Sequence, residues 1–313
     1  MEVGGNNMYK LITDGIDILY NSNNLSWGDT SDSLGTQLTF DSIKNLYMQQ
    51  VVSLYLFDKE IFRGVVIDKT EKSGGISYNY VVQDYSYYMN NTIIKQFNNM
   101  QADKAISSLL SEAYIAGNIT TIPTLITKIY KKSVNEIIDD ILEKATNDQG
   151  IEYIKELEAN VLYIRRLSDL KINPAVLIEE GTDIKSSTEN MKNSITVVNN
   201  NEDNTNIYAK VEDTSKYNWY GKLSDLIEVD EENIVKAKNI ATNKLKELNK
   251  IEKSSSVPLL VMKEDINNII KSNRLIYFNQ GNFIGYYKIK SANHILQDGL
   301  HKVTVDLEWK VSP

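Results

Sequence analysis

The chain has 313 residues, 42% of them hydrophobic and 24% charged, so it can bury a core and is not disordered as a whole. A net charge of -8 makes it a poor candidate for gripping nucleic-acid phosphates or an anionic membrane surface. Cysteine is absent, which excludes disulfides, a thiolate nucleophile and cysteine-ligated metal.

The start, Met1-Glu2-Val3-Gly4-Gly5-Asn6-Asn7, lacks the basic residues and apolar run of a signal peptide. No apolar stretch approaches bilayer-spanning length. The expectation is a chain that folds in a bacterial cytoplasm without a membrane partner. Its bias towards Asn, Lys, Ile and Tyr suggests an AT-rich bacterial or phage genome.

Residues 1–89 read as β. Leu34, Thr36, Leu38 and Phe40 alternate with polar neighbours at strand period. Residues 51–57 and 61–67 are rich in β-formers, with Asp58-Lys59-Glu60 as the turn between them. Gly74-Gly75 leads into a strand whose Tyr78, Tyr80 and Val82 share one face. Short strands and tight turns predict a small barrel or sandwich.

Residues 90–170 change period. Ala102, Ala105, Ile106, Leu109, Leu110 and Ala113 recur at helical spacing, with Gly117 as the expected stop. Val134, Ile137, Ile138, Ile141, Leu142 and Ala145 form a second apolar stripe, opened by a Ser133/Glu136 capping box and followed by Gly150. Residues 153–157 and 161–167 read as a hairpin through Glu158-Ala159-Asn160. This predicts a compact α/β module.

Residues 171–313 return to β. Strands are expected at 195–198, 207–211 and 220–227, and the polar run Asn199-Asn200-Asn201-Glu202-Asp203-Asn204 reads as a loop tip. Asp230 is the expected cap of a helix carrying Ile234, Ala237, Ala241, Leu245 and Leu248, ended by Ser254-Ser255-Ser256. Within 257–278, Ile266, Ile269 and Ile270 fit either a helical turn or a strand. Two closing strands are expected at 283–289 and 303–311, the last with Val303, Val305, Leu307 and Trp309 on one face. The fold class read from this pattern is α+β and β-rich: two β regions, an intervening α/β module (90–170), and a helical insertion around 231–250 in the second β region.

Candidate chemistry is sparse. His294 and His301 flank residues 295–300, read as a hairpin loop turning at Asp298-Gly299. A metal held with Asp298 is one reading; polar residues at a strand end is the commoner one, since no further His or Cys completes a tetrahedral site. No Gly-x-Ser-x-Gly elbow is present. Of the carboxylate pairs, Asp139-Asp140 lies on a helix's polar side and Glu231-Glu232 opens one, as solvation and the helix dipole favour. Glu179-Glu180 reads as a strand end and is the remaining candidate for a glycosidase pair. Gly4-Gly5 and Gly74-Gly75 lack phosphate-loop spacing, and Lys131-Lys132 and Arg165-Arg166 are too small for a nucleic-acid footprint. Tyr78, Tyr80, Tyr85, Tyr87 and Tyr88 cluster as either core or interface. No catalytic, cofactor-binding or metal-binding set is assigned, and no enzyme activity is expected.

Several stretches in order resemble the XkdQ-type hub proteins of PBSX-like defective phages. They are Leu25-Ser26-Trp27-Gly28-Asp29-Thr30 with Thr36-Gln37-Leu38-Thr39-Phe40, Glu60-Ile61-Phe62-Arg63-Gly64, and Gln83-Asp84-Tyr85 through Met89. Thr127-Lys128-Ile129-Tyr130 into the second helix, the hairpin from Tyr153, Glu179-Glu180-Gly181-Thr182, and His294 to His301 with Thr304-Val305-Asp306-Leu307 complete the series. The resemblance spans nearly the whole chain and departs most within 257–278.

The resemblance implies a baseplate hub of a contractile phage tail or a tail-like bacteriocin. Its two β regions would be tube-like domains (1–89 and 171–313). Three copies would present six such domains, joining a sixfold tail tube to a threefold central spike. The implied partners are the chain itself, the tail tube protein, the central spike protein and other baseplate proteins, in a particle assembled in the cytoplasm. The alternatives are a baseplate-associated cell-wall hydrolase using Glu179 and Glu180, and a carbohydrate- or receptor-binding module using exposed aromatics.

Overall fold

Alternating apolar and polar residues build the first β unit. The computed structural model describes residues 8–72, 74–178, 182–199, 206–229, 231–280, 283–297 and 299–309. Its strands are β1 (Tyr9–Thr13), β2 (Ile16–Asp17), β3 (Ser22–Thr30), β4 (Ser33–Ser42), β5 (Val51–Leu56), β6 (Lys59–Glu71) and β7 (Tyr78–Asp84). Leu38 and Phe40 of β4 and Tyr80 and Val82 of β7 turn fully inward, with Leu11, Val52 and Leu54. Burying each such side chain contributes about 1.5–3 kcal/mol. The β5–β6 turn is tighter than the expected 58–60 link: Leu56 pairs with Lys59, and Phe57 takes a φ of 53°. The Phe57 N–H donates to the Met8 carbonyl at 2.6 Å, so the residue just before β1 helps set this turn.

The middle module comprises β8 (Thr92–Gln101), α1 (Ala102–Glu112), β9 (Ala116–Ile119), β10 (Leu125–Ser133), α2 (Val134–Gln149), β11 (Tyr153–Glu158) and β12 (Val161–Arg166). The capping box forms as the residues predict: Ser133 Oγ accepts the Glu136 N–H at 3.3 Å, and Glu136 Oε2 accepts the Ser133 N–H at 2.9 Å. Gly150 closes α2 in the left-handed conformation, at φ 66°. The stop of α1 differs from expectation. Tyr114 takes a φ of 55° just past the helix, whereas Gly117 lies in β9, where a Cβ would approach Leu110 Cδ1 to 2.7 Å. The two helices bury Ile106, Leu109, Ile137, Ile138 and Ile141 against β8, β10 and the β11–β12 hairpin.

The remaining elements are β13 (Lys171–Ile172), β14 (Ala175–Ile178), β15 (Lys185–Ser187), β16 (Ser194–Asn199), β17 (Ile207–Glu212), α3 (Tyr217–Tyr220), β18 (Ser224–Val229), α4 (Ala237–Leu248), β19 (Glu252–Lys263), β20 (Leu275–Gln280), β21 (Phe283–Gln297) and β22 (Leu300–Trp309). Strands β17-β16-β18 do not join the large sheet. They form a sheet of their own and bury Ile195, Val197 and Val229 against Ala237, Ile240 and Ala241. The strand expected from 220 begins at Ser224, because Tyr220 ends the short α3. Ser254, Ser255 and Ser256 do not end α4, which stops at Leu248; they lie inside β19. Pro258 lies inside β19, opposite Thr304 of β22. Asp230, Glu179, Glu180, Gly181, Asp298 and residues 200–204 lie outside the described residues, so the cap, the carboxylate pair, the turn residue and the loop tip expected there carry no structural statement.

One sheet runs through both β units in the order β14-β19-β22-β21-β3-β4-β7-β6-β5-β1-β2, with β13, β15 and β20 branching from it. The first half of β21 pairs with β20 and its second half with β3, after a bulge at Ile289/Ser291. The β-rich class expected from the sequence is therefore what folds, but the two β units share a seam rather than standing apart.

Gly64 of β6 shows how close the strands lie. A Cβ at this position would sit 2.3 Å from the Gln83 carbonyl oxygen of β7. Gly64→Ala is expected to push β6 off β7 and cost about 1–3 kcal/mol, read as a lower urea midpoint at unchanged slope. An unchanged midpoint would contradict the close approach.

Candidate functional site: the junction of the β units

Strand pairing builds the seam. Leu25, Ser26, Trp27, Gly28, Asp29 and Thr30 pair antiparallel with Leu296, Ile295, His294, Asn293, Ala292 and Ser291. The strands approach closely at Gly28: a Cβ there would lie 2.4 Å from the Asn293 side-chain Oδ1 and 3.3 Å from the Ala292 carbonyl.

Beneath this pairing lies a polar inlay. Strands β21 and β22 place His294 and His301 side by side, with His294 Nδ1 2.9 Å from His301 Nε2. His301 Nδ1 lies 2.6 Å from Glu264 Oε1 and 3.1 Å from the Tyr9 hydroxyl. The Trp27 ring stacks on His294, centroids 4.7 Å apart and planes 5° apart, and on His301 at 5.3 Å. Both histidines lie near the facing ends of β21 and β22 and are buried, at 3% and 9% exposure. Burial, followed by the neighbouring His301, holds the His294 ring well below the usual imidazole range. Burial, then Glu264, pushes the Tyr9 phenol up. Among the described residues, no group of three or more His, Cys, Asp or Glu has metal-holding geometry.

The stretch 257–278, ambiguous in sequence, resolves into three parts. Strand β19 runs to Lys263, β20 starts at Leu275, and residues 264–274 are an irregular strap. Ile266 and Ile269 of the strap pack on the first unit's core, whereas Ile270 enters the second unit's core. The Ser272 N–H donates to Asp29 Oδ1 and Oδ2 at 3.1 and 3.2 Å. Asn273 takes a φ of 57°, and its N–H donates to the Ile289 carbonyl at 2.9 Å. Arg274 then reaches Glu156 of β11 at 2.7 Å, joined by Lys271 at 3.4 Å and by Arg165. Nearby, Lys288 pairs with Glu152 at 2.5 Å.

The charges respond accordingly. Burial alone would raise the Glu156 carboxyl, but Lys271, Arg274 and Arg165 outweigh it and hold it at about 2. For Asp29 burial wins: its carboxyl is pushed up despite Lys271, the Ser272 bonds and Arg274.

Of the residues singled out in the sequence, the structure brings His294 and His301 together and places Arg165 in the ion cluster. It does not pair Asp139 with Asp140 across a cleft: Asp139 meets Lys155 at 2.6 Å, and Asp140 accepts from Tyr130 at 2.6 Å and Lys128 at 2.9 Å. The tyrosine cluster divides. The Tyr80 hydroxyl is internal, donating to the Lys44 carbonyl and accepting from the Leu46 N–H, both at 2.8 Å, while Tyr87 and Tyr88 are exposed. Sequence reasoning missed Tyr9, Glu156, Glu264 and Arg274. Their partners lie far along the chain, 118 residues away for Glu156 and Arg274, and no local pattern marks them.

Glu156→Gln leaves Arg274 and Lys271 facing a neutral amide and is expected to cost about 3–5 kcal/mol in urea unfolding. The same carboxylate sets an acid limit. Its folded value near 2 lies below its ordinary 4.5. The unfolded chain therefore binds the proton first, so the stabilisation is complete above pH 4.5 and is lost as pH falls through about 2. Its full size is about 3 kcal/mol. Acid unfolding curves of wild type and Glu156→Gln that stay parallel through this window would contradict the assignment.

A family model described as YQBQ-like matches residues 25–308. Among solved structures, the 43 kDa tail protein of prophage MuSo2 from Shewanella oneidensis superposes with a TM-score of 0.70 at 10% identity, covering 96% of this chain and 97% of that one. The tail protein from Neisseria meningitidis MC58 gives 0.70 at 10% identity, covering 97% and 96%. Prophage tail protein gp18 from Listeria monocytogenes EGD-e gives 0.64 at 12% identity, covering 97% and 95%. A search of curated proteins gives no match. At these identities the structures share the fold of the present molecule. With the family model running from β3 through the middle module to β22, the chain belongs to the YQBQ-like family.

Proposed function

We propose that this chain is a structural baseplate hub of a contractile phage tail or tail-like bacteriocin particle. In this reading it is a homotrimer that adapts a sixfold tail tube to a threefold central spike. The observation that carries it is the seam: β3 and β21 join two β units edge to edge within one chain. Three such chains supply six β units, and an adaptor between threefold and sixfold partners needs that number. The two units, 1–89 and 171–313, are then the tube-like domains, with 90–170 as a peripheral module.

Three structural neighbours named as tail proteins support this reading. So does the E. coli c3393 protein, described as a type VI secretion component with structural similarity to bacteriophage T4 tail proteins gp27 and gp5. It superposes with a TM-score of 0.55 at 10% identity, covering 97% of this chain and 77% of that one. Among the described residues, the large sheet ends at β2 on one side and at β14 and β15 on the other. Ends of this kind accept a neighbouring chain. The role is one of assembly rather than catalysis, with tube, spike and other baseplate proteins as partners in a particle put together in the cytoplasm.

Native mass spectrometry of the full chain is expected to show a species of three 35.6 kDa protomers, and electron micrographs a ring with a central opening. A monomer at all concentrations, binding neither a tube nor a spike protein, would overturn the proposal.

A further inference from the structure

The seam's polar inlay is a continuous relay. The backbone of Ile270 lies against the His294 ring and favours a ring N–H there. With that N–H on Nε2, His294 Nδ1 is left to accept from His301 Nε2–H across 2.9 Å. His301 Nδ1 lies 2.6 Å from Glu264 Oε1. The Tyr9 hydroxyl lies 3.1 Å from the same nitrogen, beside the Glu264 carboxylate. The chain runs Tyr9 to Glu264 to His301 to His294 to the Ile270 carbonyl, and so ties β1, β22, β21 and the 264–274 strap together under Trp27 of β3.

A second proton on His294 has no acceptor. It would sit on Nδ1, pointing at the His301 Nε2–H. The groups facing it from every packed element oppose the extra charge or are already engaged. His301 lies on β22, and Trp27 stacks from β3. Lys271 of the strap adds positive charge nearby. Glu264 is held by His301 and Tyr9, and Asp29 of β3 is held by Ser272. Clefts flank the relay. One of about 890 Å3, lined by Met8, Leu19, Tyr20, Phe57, Met262 and Leu300, opens onto Tyr9, Glu264 and His301; another of about 800 Å3 is lined by Trp27 and His294.

We infer that the His294–His301–Glu264 relay is an acid-sensitive latch, which holds the two β units together while His294 is neutral and releases the β3–β21 seam when His294 is protonated. The sign follows from linkage. Folded His294 is held below the ordinary 6.5, so the unfolded or opened chain takes up the proton first. The latch's contribution is complete above about pH 6.5 and declines as pH falls below it. Asp29 works in the opposite direction, since its raised carboxyl gains relative stability on acidification. The latch is therefore isolated by comparing variants and not by a single curve. The inference concerns a contact within one chain and holds whether or not three copies assemble.

The chain has only these two histidines, so isotope labelling of histidine reports both rings and nothing else. Between about pH 8 and about pH 5, the His294 ring is expected to stay neutral past the titration of an ordinary imidazole. It then protonates together with a rise of about tenfold or more, beyond the intrinsic rate, in amide exchange over 25–30 and 291–296. In His294→Phe, which keeps a ring against Trp27, the urea midpoint is expected to lose the acid-dependent drop seen in wild type. If that variant does not fold, the labelled wild-type chain alone decides. A His294 ring that titrates near 6.5 with seam amides still protected refutes the latch, and so does a wild-type pH profile that His294→Phe leaves unchanged.

Discussion

Two carboxylates on either side of one irregular strap set the geometry of this molecule. Asp29 belongs to the first β unit and Glu156 to the middle module. Residues 271–274 of the second unit run between them, giving the Ser272 N–H to one and the Arg274 guanidinium to the other. A strap without regular structure has no ladder to satisfy its backbone groups. Here those groups are spent on Asp29 of the first unit and on the Ile289 carbonyl of β21. The strap's apolar residues do the same, with Ile266 and Ile269 in one core and Ile270 in another. The three units are thereby placed relative to one another by a few directional bonds.

A junction of apolar contacts would stabilise as well but would be less particular about register. Replacing a buried ion cluster with matched apolar residues is often neutral for stability, while deleting one partner is costly. The cluster around Glu156 therefore acts mainly by penalising misplacement: an Arg274 that misses its carboxylate is a buried unpaired cation. The seam follows the same logic. A one-residue slip of β21 against β3 would turn His294 away from Trp27 and the polar inlay. For a molecule proposed to hold neighbouring β units at fixed angles in a ring, a register that tolerates no slip is the property that matters.

Much of the fold was legible in the residues because it depends on near neighbours. The Ser133/Glu136 capping box, the apolar stripe of α2, its Gly150 stop and the β11–β12 hairpin are each written within a few positions. The misreadings have separate causes. Gly117 looked like a helix stop, but Tyr114 supplies the left-handed residue and the glycine lies where β9 passes Leu110. The serines at 254–256 looked like the end of a helix, but β22, distant in sequence, draws them into a strand. The strand expected from 220 loses Tyr220 to α3 and begins at Ser224.

The sequence by itself determined the β-rich class, the helical middle module and the absence of a recognisable catalytic motif, because composition and short-range periodicity carry those. It also singled out His294 and His301, and it left the 257–278 stretch open. Only the tertiary structure decided that this stretch is a strap between two cores, tied to the middle module by an ion cluster, and that the histidines are a buried relay. It alone showed that the two β regions share one sheet. Each of those outcomes rests on contacts between residues tens to hundreds of positions apart, such as Tyr9 with His301 and Asp29 with Ser272, and such pairs leave no periodic trace in the chain.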